Sequence, residues 1–172
     1  ITCDHPVMKT DQYRADISCP QDIAGAKKLL ADAGFPNGIE LTVFPSSLEP
    51  TWTPIAEVVQ QQVAAAGIKV NIQVAPSDGY WSDVWMKKDV AMTRWNQRPA
   101  DQALNEIYHS GAKWNESYYK NPKFDAILES ARKELDFEKR KAIYQSAQNM
   151  LWEDSGTLIP YTVSKLIATT AR

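Results

Sequence analysis

The residues best equipped for chemistry lie between Trp95 and Asn115, and their types suit the holding of a small molecule. Trp95-Asn96-Gln97-Arg98 closes a run, Val90–Trp95, that reads as a strand. Asp101, Asn105, Trp114 and Asn115 follow closely. Large rigid rings supply apolar area that can flank a ligand, while amides and a guanidinium fix its orientation. Trp95, Asn96 and Arg98 stand just past a strand's carboxyl end, where open α/β sheets tend to bind ligands. With Asp101, Trp114 and Asn115 they form the candidate binding set. The plain alternative is that rings such as Trp114 are core and amides such as Asn115 are ordinary loop. Trp81 and Trp85, at i and i+4, read as core.

Catalysis finds little footing. There is no G-x-S-x-G elbow and no H-E-x-x-H helix, and His5 and His109 are the chain's two histidines. Neither neighbours a nucleophile in sequence, and no glycine-rich phosphate loop stands at a strand-to-helix joint. The expectation is a non-enzyme with no cofactor and no catalytic or metal site. Cys3 and Cys19 admit two readings, a disulfide closing a small loop or two free thiols. A zinc set of Cys3, His5 and Cys19 lacks a close C-x-x-C pair and a fourth ligand.

The bulk numbers bound the class. At 172 residues the chain fits one domain or one lobe of something larger. A net charge of −2, with basic residues spread out, leaves no excess to release counterions from nucleic acid. No apolar run approaches the ~20 residues that cross a bilayer. Ile1 opens directly into polar sequence with neither an initiator Met nor a signal peptide, as expected of a piece excised from a longer protein.

The elements that must position the candidate residues follow from periodicity and punctuation. Residues 1–21 read as an irregular lead-in. Asp22 caps a helix over 23–33 with Ile23, Ala26, Leu30 and Ala33 on one face and Gly34 as its stop. Ile39–Phe44 alternates as a strand. A helix over about 53–66 ends at Gly67, and Ile68, Val70, Ile72 and Val74 then alternate with polar residues as a half-buried strand. Strand, helix, strand with short joints implies a right-handed crossover and a parallel pair. A short helix runs from Ser77-Asp78-Gly79 to about Lys87. Residues 96–120 read as irregular, with one helical stretch. Asn121-Pro122 starts a helix with Phe124, Ile127, Leu128, Ala131 and Leu135 inward. Asp136 starts another through about Asp154, with Ile143, Ala147, Met150 and Leu151 inward. Leu158–Val163 and Leu166–Ala168 read as short strands.

Three blocks carry a family resemblance: "AKKLLADAGFPNGIELTV", "IAEVVQQQVAAAGIKVNIQV" with Tyr80 after it, and "NPKFDAILESARKELDFEKRKAIYQSAQNMLWEDSGTLIPY". Their order and spacing resemble the C-terminal lobe of a family 5 extracytoplasmic solute-binding protein, the oligopeptide and dipeptide type. The resemblance covers about residues 20–162. It implies an α/β fold, one lobe of a periplasmic-binding-protein type II architecture with a mixed sheet and flanking helices, and it assigns residues 1–172 to a C-terminal ligand-binding lobe. A missing N-terminal lobe of the same chain would then supply the other half of the pocket. The implied function is capture of a peptide or a small anionic or zwitterionic solute and delivery to the membrane permease of an ABC importer. The implied location is periplasmic, an oxidising compartment that favours the Cys3–Cys19 disulfide.

In peptide-binding members of that family, the tryptophan that Trp95 resembles is followed three residues later by an aspartate that pairs with the peptide's amino terminus. Here that position is Arg98, which cannot accept from an ammonium group but can fork onto a carboxylate or phosphate. Asp101 is a shifted candidate for the amine. Opine-like conjugates, sugars and other anionic solutes stand beside peptides as ligand classes. Two other functions compete: a solute-sensing domain of a regulator, and an unrelated α/β enzyme.

Overall fold

The structure, a computed structural model, describes residues 2–163 and 168. These residues divide into two compact units. Pro20–Trp95 forms one; residues 2–19 and those from 96 onward form the other.

The 20–95 unit is built from local signals. α1 (Ile23–Asp32) starts where the Asp22 carboxylate accepts from Gly25 N–H at 2.8 Å. It stops at Gly34, whose φ of +92° is readily adopted by glycine. β1 (Ile39–Val43) and β2 (Ile68–Ile72) pair in parallel, with Ile39 opposite Ile68 and Val43 opposite Ile72. α2 (Trp52–Val63) and a 3₁₀ turn (Ala64–Ala66) cross between them. The two strands start shoulder to shoulder because Gly38 and Gly67 precede them. A Cβ on Gly38 would lie 2.1 Å from the Gly67 carbonyl oxygen, so a side chain there would force the strands apart. Beyond β1, Phe44 bridges to Ala91 and Ser46 to Ala75, both in parallel. α3 (Tyr80–Asp83) is a single turn.

The core of this unit is Trp52, Ala75, Tyr80 and Val84, with Phe44, Ile55, Trp85 and Met92 packed around it. Tyr80 is fully buried. Its hydroxyl lies 2.8 Å from Phe44 O and 2.7 Å from Met92 O, and it accepts from Met92 N–H at 3.0 Å. One phenol thus fastens the segment after α3 to the end of β1. The run read as a third strand, Val90–Trp95, contributes only the bridge at Ala91, where Phe44 N–H donates to Val90 O at 3.0 Å and Met92 N–H to Phe44 O at 3.4 Å. The helix read to Lys87 ends at Asp83. α1 buries none of its residues, although its apolar spacing is helical; it lies beside the Ala64–Ala66 turn instead of over a core. Trp85 is half-buried in the core, while Trp81 stays 47% exposed, edge-on to Trp52, Tyr80 and Trp85.

The other unit is helical. α4 (Ala100–Ile107), α5 (Pro122–Lys133) and α6 (Phe137–Asp154) pack together, with α5 against α6 as the main contact. Asn121 accepts from Lys123 and Phe124 N–H ahead of Pro122, and Asp136 accepts from Lys139 N–H. Phe124, Leu128 and Ala131 are wholly buried, as is Ala147, with Tyr144 and Leu151 nearly so. Each large apolar side chain taken out of water contributes about 1.5–3 kcal/mol. Leu135, read as inward, is 89% exposed because α5 has ended at Lys133 and the chain turns there. On α6 the inward face is Tyr144, Ala147, Gln148 and Leu151, rotated from the expected Ile143 and Met150. A fully buried glutamine explains the shift: Gln148 looks polar in sequence, but its amide donates to Tyr13 O and Tyr144 O and accepts from Ala15 N–H.

Those contacts belong to a strap, residues 3–19, closed by a Cys3–Cys19 disulfide. His5 is buried in it, its Nε2 3.0 Å from Ala15 O and its Nδ1 accepting from Val7 N–H. Residues 157–163 form no strand in this structure, and the strand read over Leu166–Ala168 lies largely outside the described residues.

Candidate ligand site

The six candidate residues fall at three places in the chain. Trp95, half-buried, is the last residue of the 20–95 unit. Asn96, Arg98, Asp101, Trp114 and Asn115 belong to the helical unit.

Asn96 and Arg98 form the approach to α4. Arg98 Nη1 donates to Asn96 O at 3.2 Å, and its Nε donates to Glu106 Oε2 at 2.9 Å. The other Glu106 oxygen accepts from Gln102 Nε2 at 2.9 Å. The Gln102 amide, and then the Arg98 guanidinium, hold the Glu106 carboxyl below its ordinary range. The guanidinium is therefore oriented from two sides, one bond to the backbone before it and one to the helix after it. A guanidinium ordered in this way matches the planar geometry of a carboxylate.

Asp101, in the first turn of α4, is occupied within the fold. It takes a two-pronged ion pair from Arg132, at 2.8 Å and 2.9 Å, and a hydrogen bond from Tyr144 Oη at 2.7 Å. Asn105 Nδ2 adds a third donor at 3.0 Å. Burial pushes the Asp101 carboxyl up, but the hydrogen bonds from Arg132 and Tyr144 and the Arg132 charge outweigh it, so the group stays ionised below its ordinary value. Burial and the adjoining carboxylate push the Tyr144 phenol up. This carboxylate locks α4 to α5 and α6.

Asn115 is likewise a structural hub. It is buried in the α4–α5 loop, donates to Tyr119 O at 2.6 Å and His109 O at 3.3 Å, and accepts from Tyr119 N–H and Ser117 Oγ, both at 3.1 Å. The loop winds around this amide and leaves Trp114 41% and Tyr118 59% exposed, with Tyr118 at φ +54°. A non-glycine residue in that conformation is held by its surroundings at a cost of order 1 kcal/mol. Sequence reasoning left out Glu106, Gln102, Arg132 and Tyr144. Gln102 and Glu106 at i and i+4 were the available signal; the Arg132 and Tyr144 contacts had none.

Among the described residues, no three His, Cys, Asp or Glu side chains are grouped to hold a metal ion. The sulfurs of the conceivable zinc set are bonded to each other and His5 faces the backbone. No helix among the described residues is long and apolar enough to cross a membrane.

The geometry can be set beside known proteins. Residues 4–115 match the bacterial extracellular solute-binding proteins, family 5, middle region. The glutathione-binding protein GsiB of Salmonella typhi is 31% identical over 161 residues, and that of Pectobacterium atrosepticum is 30% identical over 148. These alignments cover 87% and 79% of this chain but only 31% and 29% of the relatives, so the chain spans about 30% of their length. Among solved structures, the periplasmic binding protein DppA of Helicobacter pylori, in complex with the peptide STSA, superposes with a TM-score of 0.73 at 28% identity, covering 87% of this chain and 31% of that one. MoaA from A. tumefaciens, in complex with mannopinic acid, gives a TM-score of 0.64 at 33% identity, covering 76% and 28%. The α/β architecture is thus the periplasmic-binding-protein type II fold, and the chain belongs to the family 5 bacterial extracellular solute-binding proteins.

Proposed function

We propose that this chain is the C-terminal ligand-binding lobe of an ABC importer's periplasmic receptor, which binds a carboxylate-bearing peptide or related small solute and hands it to a membrane permease. The observation that carries the reading is the family match over residues 4–115, which contains the oriented Arg98. The relatives named for glutathione, a peptide and mannopinic acid have ligands that all carry a carboxylate, and an oriented guanidinium is suited to it. Trp95, Asn96, Arg98 and Trp114 are the contacts in this reading. Asp101 and Asn115 act behind them, holding α4 and the α4–α5 loop in place. The chain performs no chemistry on its ligand.

The test is native mass spectrometry of the complete gene product, purified from its host without denaturation, followed by calorimetric titration of the solute that is released. Arg98→Ala is expected to weaken binding ten- to a hundredfold, the scale of one hydrogen bond to a charged group. Trp95→Ala is expected to weaken it less. Full affinity in both variants would remove the site assignment. Turnover of the solute would replace the receptor reading with an enzyme.

A further inference from the structure

We infer that Asp11 is a positioning residue for the segment bearing Arg98: the disulfide-closed strap delivers to α4 the N-terminal cap that its own sequence lacks. This inference rests on the reading of Asn96 and Arg98 as ligand contacts.

The other two helices of this unit make their caps locally. Asn121 caps α5 and Asp136 caps α6, each through a side-chain oxygen on a first-turn N–H. α4 begins after Pro99, which has no side-chain acceptor, and no side-chain cap comes from that position. Instead Asp11 Oδ2, 89 positions away, accepts from Ala100 N–H at 3.0 Å, while its Oδ1 accepts from Tyr13 N–H at 2.8 Å. A carboxylate at a helix N-terminus gains from both the unpaired N–H groups and the helix dipole.

The strap that carries Asp11 is itself held to α6. Gln148 grips Tyr13 O and Ala15 N–H, Gln145 donates to Arg14 O at 3.0 Å, and Arg140 Nε donates to Tyr13 Oη at 2.8 Å. The Cys3–Cys19 bond closes its ends. The position of α6 is thereby passed through Asp11 to the first residue of α4. Only Pro99, with φ −56° and ψ 152°, separates that residue from Arg98. Glu106, further along the same helix, then sets the guanidinium. Loosening the cap therefore frees the chain where the ligand is to be met, and reducing the disulfide acts on the same point from further away.

The experiment uses the complete gene product with glutathione and alanyl-alanine as probes. It reads hydrogen exchange at the Ala100 amide, and affinity well below the unfolding midpoint. Asp11→Ala is expected to speed exchange at Ala100 at least tenfold and to weaken probe binding about three- to tenfold. Asp11→Asn, which keeps one accepting oxygen, is expected to fall between Asp11→Ala and the unaltered protein, and replacing both cysteines by serine is expected to move both readouts the same way. Unchanged exchange at Ala100 in Asp11→Ala overturns the cap. Unchanged affinity in Asp11→Ala, with binding lost in Arg98→Ala, overturns the positioning role and leaves the site reading standing. Full binding in Arg98→Ala removes the site reading, while exchange at Ala100 still decides the cap. Binding of neither probe by the unaltered protein counts against the site reading and the positioning role together.

Discussion

The 20–95 unit and the helical unit are held together in different ways. In the first, neighbours in sequence are neighbours in space: glycine-punctuated helices and alternating strands meet through a parallel ladder with a short crossover. Its buried long-range side-chain fastener is the Tyr80 hydroxyl, and its other long-range side-chain links, Arg94 to Glu49 and Lys69 and Asn71 to Glu40, lie at the surface. In the second, three helices are tied by polar groups far apart in sequence. Asp101 reaches Arg132 and Tyr144, Gln148 reaches Tyr13 and Ala15, and Asp11 reaches Ala100. The contrast shows how the same family fold combines a locally specified sheet with a helical part whose precision comes from buried hydrogen bonds. Such bonds matter most when one partner is deleted, because the other is then stranded without water.

Four measurements bear on that contrast. The largest effect belongs to the helical core. Phe124→Ala removes a fully buried ring that packs edge-on to Tyr119 and is expected to cost about 3–5 kcal/mol, read as a lowered denaturation midpoint. The second is the staple. Replacing Cys3 and Cys19 by serine opens a 16-residue separation and is expected to cost about 3 kcal/mol on loop-closure entropy. Amide exchange should rise in the strap and at the start of α4 and stay unchanged in β1 and β2. Equal loosening of both units would erase the contrast.

Third, Tyr80→Phe keeps the ring and removes the pin. It is expected to cost about 1–3 kcal/mol, with faster exchange at Met92 N–H, which the hydroxyl accepts. No loss at Met92 would mean that backbone pairing alone holds the third segment. The smallest effect is the pH dependence. Burial, and then the Arg14 charge, keep the His5 imidazole below its ordinary 6.5, against the hydrogen bond to Ala15 O, which favours the charged form. Below about that pH the unfolded chain takes up a proton that the folded state resists, so stability falls as the medium is acidified. Asp101 adds a further loss below about 3.8, its ordinary value, because the folded carboxyl is held lower still. Thermal midpoints between pH 7 and 5 should therefore decline in the parent and flatten in His5→Gln. An equal decline in both would assign the effect elsewhere.

How much of this was legible beforehand differs between the units for the same reason. The caps at Asp22, Asn121 and Asp136, the stops at Gly34 and Gly67, and the parallel pair were readable because each depends on residues within one turn or one strand. At the candidate site the sequence offers residue types, Trp95, Asn96, Arg98 and Trp114 among them, and their contact with a ligand is the proposal made above. What the neighbours do with those types was not legible. Asp101 reads as an acceptor for an amine until Arg132 and Tyr144 are placed beside it, and Asn115 reads as a ligand contact or an ordinary loop amide until the loop closes around it.

The sequence by itself determined α1, α2, α5, α6 and the β1–β2 pair, their order along the chain and most of their ends, and the types of residue that precede α4. Those follow from backbone conformational preference and from apolar periodicity, which act over a few residues. Only the tertiary structure decided which polar groups are consumed within the fold, which face of α6 turns inward, and that α4 takes its cap from Asp11. A hydrogen bond between residues 89 positions apart leaves no periodic trace in either segment, since its two ends meet only after the rest of the chain has folded between them.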